Sequence, residues 1–213
     1  MRKLLFALAL SAPVMTQAKI IKIDITGNLY QVSSSVASRF SLGDPVTAQL
    51  VLDTEAPGSV FYPDTHLFAN AVIGGFISVD GYTATFSNTA RAFVTDDEFS
   101  GAMDRFLIDD YNSAAADVNG MAFHDLFLNW QDDTATASPG FTLPANQAAL
   151  AAYGLPRGGI DWLTSDAENR ITFKADQVTV SSVPEPATWS MMIGGMAVAG
   201  WSVRRKRTSV RFA

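Results

Sequence analysis

An all-β fold, an antiparallel sandwich of jelly-roll type, is what three features of the sequence predict. About eight to ten short runs rich in β-branched and aromatic residues follow one another through residues 19–182, spaced by about 8 to 12 residues. Within several of them apolar and polar residues alternate, the two-residue period of a strand with one face buried. Only one stretch before residue 183, residues 145–153 (ANQAALAAY), has a helical pattern, and Gly154 and Pro156 stop it.

The elements follow in chain order. Met1, Arg2 and Lys3 form a short positive segment, residues 4–14 are almost wholly apolar, and Thr16-Gln17-Ala18 ends the stretch with small residues. This is the pattern of a secretory signal peptide, residues 1–18, cleaved after Ala18. The apolar run is too short for the roughly 17 to 25 residues that span a bilayer. Residues 19–25 and 28–36 are strand-like and flank Gly27. Residues 46–53 put Val46, Ala48, Leu50 and Leu52 on one face. Residues 72–79 and 82–86 meet at Asp80-Gly81, the signature of a type I′ hairpin, and Gly74-Gly75 suggests a bulge. Further strands are expected at 91–95, 103–108, 121–130 and 170–181, with residues 181–186 as a linker.

The C-terminus is different in kind. Residues 187–203 are 17 residues without a charge. As a helix they would reach roughly 25 Å, enough for a bilayer core of about 30 Å if the flanks adjust. Trp189 and Trp201 stand near its ends, and Arg204, Arg205, Lys206 and Arg207 follow, with Arg211 beyond. A cationic block of this kind stays cytoplasmic, so the preceding domain lies outside, the side to which the signal peptide directs it.

With both ends set aside, residues 19–183 carry 8 Lys and Arg against 20 Asp and Glu, a net of −12, compared with −6 for the whole chain. A domain this acidic does not suit nucleic acid or anionic lipid, both of which need a basic surface. There is no cysteine, which removes a thiol nucleophile, a thiolate metal site and a redox pair.

Val183, Pro184, Glu185 and Pro186, followed by the apolar run and the arginine block, resemble the PEP-CTERM sorting signal of Gram-negative bacteria, down to the wording VPEPATW. The resemblance implies a membrane-embedded exosortase as partner. It also implies an intermediate anchored in the inner membrane through the C-terminal helix, a cut near Pro184–Pro186, and a product at the cell surface or outside the cell. The two prolines agree with it physically, since they hold the scissile region extended and block helix propagation backwards. Residues 40–54 (FSLGDPVTAQLVLDT) also resemble a segment found near the start of PEP-CTERM ectodomains, one that carries no known activity.

Nothing in the sequence matches a nucleophile elbow, a zincin helix, a P-loop or a dinucleotide fingerprint. His66 sits in a turn-rich stretch and reads as an exposed loop residue. His124 and Asp125 are strand neighbours that point to opposite faces and form no dyad. Asp96-Asp97-Glu98, Asp109-Asp110 and Asp132-Asp133 each fall at a strand end, where loops offer oxygen ligands to a hard cation such as Ca²⁺. Their spacing departs from a D-x-[DN]-x-[DN]-G loop, which favours ordinary solvated turns. Tyr62, Tyr82, Tyr111, Trp130, Tyr153 and Trp162 are candidates for a platform that stacks sugar rings. The expectation is therefore a non-catalytic, surface-displayed or matrix-associated protein. Two alternatives stand beside it: a module that binds carbohydrate such as extracellular polysaccharide, and a hydrolase whose two carboxylates lie far apart in sequence.

Overall fold

The computed structural model describes residues 20–97, 103–137, 140–163 and 168–183, together with Met196. The expected signal peptide, the helix at 187–203, Pro184, Glu185, Pro186 and the cations Arg204, Arg205, Lys206 and Arg207 lie outside these residues. Among the described residues no helix is long and apolar enough to cross a membrane.

The chain forms β1 (Ile20–Val32), a 3₁₀ turn (Ser34–Val36), β2 (Pro45–Asp53), β3 (Ser59–Tyr62), β4 (Thr65–Phe68), β5 (Val72–Val79) and β6 (Tyr82–Thr85). It continues with β7 (Arg91–Asp97), β8 (Met103–Asp110), β9 (Ala122–Asp132), the helix α1 (Gln147–Ala152), β10 (Arg157–Leu163) and β11 (Glu168–Ser182). All eleven strands join one antiparallel sheet in the order β3-β4-β7-β8-β9-β10-β11-β1-β2-β5-β6.

The all-β, antiparallel expectation holds, but the hydrogen-bond ladder does not break into the two sheets of a sandwich. One sheet curls over instead. Tyr82 on β6 and Trp162 on β10 are five strand steps apart, about 24 Å if the sheet were flat, yet their rings are 5.6 Å apart. Phe40 packs against both, also at 5.6 Å. The β6 edge then meets the connection after β8: Thr85 and Ala114 exchange two backbone hydrogen bonds, and the Tyr82 hydroxyl donates to the Ala116 carbonyl at 2.6 Å. The long strands bend at irregularities. β1 and β11 slip register between Thr26 and Gly27, where a Cβ on Gly27 would come within 2.2 Å of the Lys174 carbonyl oxygen.

Local expectations meet this architecture unevenly. Val46, Ala48, Leu50 and Leu52 are all buried. Asp80 and Gly81 have φ of 44° and 78°, as a type I′ turn requires. The bulge expected at Gly74-Gly75 falls one residue earlier, at Ile73, since Val51 pairs with Gly74 and Leu52 with Val72. Strand 28–36 is shorter than expected, because Ser34–Val36 turns into a 3₁₀ segment. The helix is shorter than 145–153 and is capped by the Asn146 side chain, which accepts from the Ala149 N–H.

The linker expected from residue 181 is not a linker at its start. Ser181 and Ser182 pair with Lys22 and Ile21, and the Val183 N–H donates to the Ile20 carbonyl at 2.9 Å. The first and last described segments are thus neighbours, and the ladder runs to the residue before Pro184.

Candidate functional site

Antiparallel pairing decides which acidic clusters meet. β7 ends, β8 begins and β9 ends at one end of the sheet, so Asp96, Asp97, Asp132 and Asp133 gather there, whereas Asp109 and Asp110 close β8 at the other. Thr95 lies opposite Arg105 and Asp104 opposite Asp132, which sets Asp96, Asp104 and Asp132 along one row. Asp96, Asp97 and Asp104 each bring a carboxylate oxygen within 4.8 Å of the others. Asp104 was legible in the sequence only as part of a strand. It is buried, and it accepts from the Asp97 N–H at 3.0 Å. Burial and the neighbouring Asp104 and Asp97 push the Asp96 carboxyl up from its ordinary value. Among the described residues these three form the group whose carboxylate oxygens are close enough together to share a hard cation.

The other expected ligands serve the chain itself. Asp132 accepts from the hydroxyl and N–H groups of Thr134 and Thr136, which holds its carboxyl down at about 2. Asp133 accepts from the Gln131 amide. Asp110 is buried and ties the Ser87 and Asn112 N–H groups, fixing the turn before β7. Asp109 takes a two-pronged contact from Arg91, Nε at 2.9 Å and Nη2 at 2.8 Å. The cluster Asp109-Asp110 thus stands at the opposite end of β8 from Asp96-Asp97 and Asp132-Asp133.

The histidines are also placed differently. His66 is not a loop residue: it lies in β4 opposite Val94 and stacks on Phe141 at 4.1 Å and 8°. His124 sits where the β9–β10 register slips, 5.5 Å from the Tyr111 ring. Asp125 faces Asp161 across the ladder. Asp161 is held by Arg170 through Nε at 3.0 Å and Nη2 at 2.7 Å. Both carboxylates are buried, at 8% and 2% exposure, and neither lines the groove described next.

That groove, about 690 Å³, crosses the outer face of β7 and β8 beneath the β3–β4 hairpin. Its floor is made of ladder pairs, Arg91 with Asp109 and Phe93 with Leu107, with Arg105 beside them. The hairpin turns at Pro63-Asp64 and lays Phe61 over Phe93, ring centres 5.3 Å apart, with Tyr62 at 4.6 Å from Phe61. The Arg91 guanidinium lies 5.3 Å from the Phe93 ring and 5.1 Å from Tyr111. Burial, with the charges of Asp109 and Asp125, raises the Tyr111 hydroxyl above its usual value. Chemically the groove offers apolar ring surface beside a fixed guanidinium–carboxylate pair, which suits binding a ligand that is part apolar and part hydroxylated. Sequence reasoning missed Phe61, Phe93 and Arg91, because the β3–β4 hairpin that assembles them read as turn.

Residues 182–207 match the model of the PEP-CTERM protein-sorting motif. No curated protein and no solved structure matches the chain.

Proposed function

We propose, from the premise that the chain carries a PEP-CTERM protein-sorting motif and is thus sorted by an exosortase as an exported, envelope-targeted protein, that its folded part is a non-catalytic domain displayed at the cell surface or in the extracellular matrix. The observation that carries the reading is the position of the motif. Its match begins at residue 182, the last residue of β11, so the sorting tail follows the sheet with no spacer. Ile20, the first residue after the expected signal peptide to be described, is bonded to that same end through Val183. Export and sorting signals therefore meet the domain at one pole, through two adjacent interior strands, β1 and β11. Support for a non-catalytic role comes from the carboxylates: Asp109, Asp110, Asp132 and Asp161 are each engaged in holding a turn or an ion pair.

Mass spectrometry of the exported product tests the reading. The expected chain starts at or near Lys19 and ends between Pro184 and Ala187, and Glu185→Ala leaves full-length protein in the membrane fraction. Intact chain carrying Arg211, recovered outside the cell, overturns it.

A further inference from the structure

Of the six aromatic residues that the sequence offers as a stacking platform, Tyr82, Trp130, Tyr153 and Trp162 are buried, while Tyr62 and Tyr111 stand 59% and 53% exposed. The two exposed rings bracket a single strip. From Tyr62 the contacts run through Phe61, itself 46% exposed, to Phe93, Arg91 and Tyr111 in steps of 4.6 to 5.3 Å. Leaving such rings in water forgoes burial of large apolar surface, and here they are collected on one face of the sheet rather than scattered.

The geometry points to a binding site for a neutral polysaccharide along this strip, with pyranose rings laid on Tyr62, Phe61 and Tyr111 and their hydroxyls bonded to Arg91 and Asp109. A pyranose has an apolar C–H face and a rim of hydroxyls, and it needs ring surface and paired donors and acceptors side by side. The strip supplies both. Asp109 engages Nε and Nη2 of Arg91, which locks the guanidinium in orientation and leaves the two Nη1 donors for a ligand. The groove crosses the face of the sheet from Tyr62 to Arg91 and Asp109, and Tyr111 stands beyond it against the Arg91 guanidinium, an arrangement that takes the interior of a chain.

Charge selects the class of glycan. Arg91 and Arg105 balance Asp64 and Asp109 in the groove, while residues 19–183 as a whole carry −12. A polyanion is repelled at long range and finds no net positive site to compensate. A peptide ligand is disfavoured for another reason. The β3 edge is only four residues long, between Pro57 and Pro63, which is little ladder for an added strand.

The site rests on the exported, non-catalytic reading but fails separately from it, since the product masses above do not depend on ligand binding. The experiment is native electrophoresis of the full-length chain, in mild detergent, through gels containing hydroxyethyl cellulose, dextran, a mannan or alginate. Retardation is expected in at least one neutral gel and not in alginate. The Tyr62→Ala/Tyr111→Ala double variant, with its circular dichroism unchanged, binds about tenfold more weakly, the product of two lost stacking contacts of roughly threefold each. Tyr30→Ala, which removes an exposed tyrosine on β1 outside the strip, leaves retardation as it is. Unchanged mobility in every neutral gel, equal retardation of the double variant, or retardation in alginate alone overturns the assignment. So does binding of a casein peptide mixture that the double variant abolishes while the polysaccharides have no effect.

Discussion

At the β6 edge of the sheet Tyr82 is 8% exposed, its hydroxyl bonded to Ala116, and Thr85 is paired with Ala114. At the β3 edge all four residues are exposed, Val60, Phe61 and Tyr62 among them. Both edges belong to the same ladder, so the difference does not lie in pairing but in what the curl brings over them. The roll closes β6 against the β8–β9 connection and encloses Phe40, Tyr82 and Trp162. It leaves β3 and β4 as a flange beyond β7. An open edge invites pairing with other chains, and this one is limited by shortness and by flanking prolines. The closed edge therefore carries stability, and the open edge is the part of the sheet with surface to spare for a ligand.

The sharpest way to break that comparison is to remove one large ring from each side. Trp162 is fully buried against Phe40 and Tyr82, and Trp162→Ala is expected to cost about 3 to 5 kcal/mol. Tyr62→Ala, on the open side, is expected to stay within about 0.5 kcal/mol. Urea unfolding of the two variants measures the gap. Costs of similar size would mean that the flange is as integral to the fold as the roll.

A gentler substitution sharpens the contrast. Tyr82→Phe keeps the ring and deletes only the hydroxyl that reaches Ala116 at 2.6 Å. The expected loss is about 1 kcal/mol, accompanied by faster amide exchange at Ala114, which pairs with Thr85, and at Val118, which pairs with Met121. Exchange that is unchanged at Ala114 would show that the edge is held by the backbone pair alone.

What was readable in the sequence follows from the same division. Strands with one wet face, such as β2 with its alternating Val46, Ala48, Leu50 and Leu52, declare themselves by period. β10 does not. Its five central residues are buried, and Gly158-Gly159 reads as a turn. Those glycines are there for packing: a Cβ on Gly158 would stand 2.5 Å from the Phe173 ring, and one on Gly159 2.6 Å from the Ile171 carbonyl oxygen. Missing β10 hides the row that carries Asp161 and Trp162. Missing β3 and β4 hides the groove. The curl itself is invisible to periodicity, which tells in from out along a strand but not which strands are neighbours. The tail was readable because its signal is local, three elements in order, and needs no tertiary partner.

The smallest expected effect distinguishes two carboxylates at the same end of the sheet by pH. Asp132 is lowered to about 2 by the Thr134 and Thr136 donors. Its contribution is therefore present above the unfolded value near 3.9, and it is lost as pH falls from there toward 2. Asp96 is raised by burial and by Asp104 and Asp97. Its ionised form is the disfavoured one, so its contribution is favourable at low pH and is lost as pH rises through its folded value. Asp132→Asn should then lower the melting midpoint at pH 7 and flatten the fall of stability between pH 4 and 2. Asp96→Asn should raise the midpoint at pH 7, because it removes a charge from beside Asp104 without removing a hydrogen-bond acceptor used by a turn. Midpoints measured from pH 2 to 7 decide it. If both variants shift the pH 7 midpoint in the same direction, burial and like-charge repulsion do not govern Asp96, and the row formed by Asp96, Asp104 and Asp132 acts as one acceptor network.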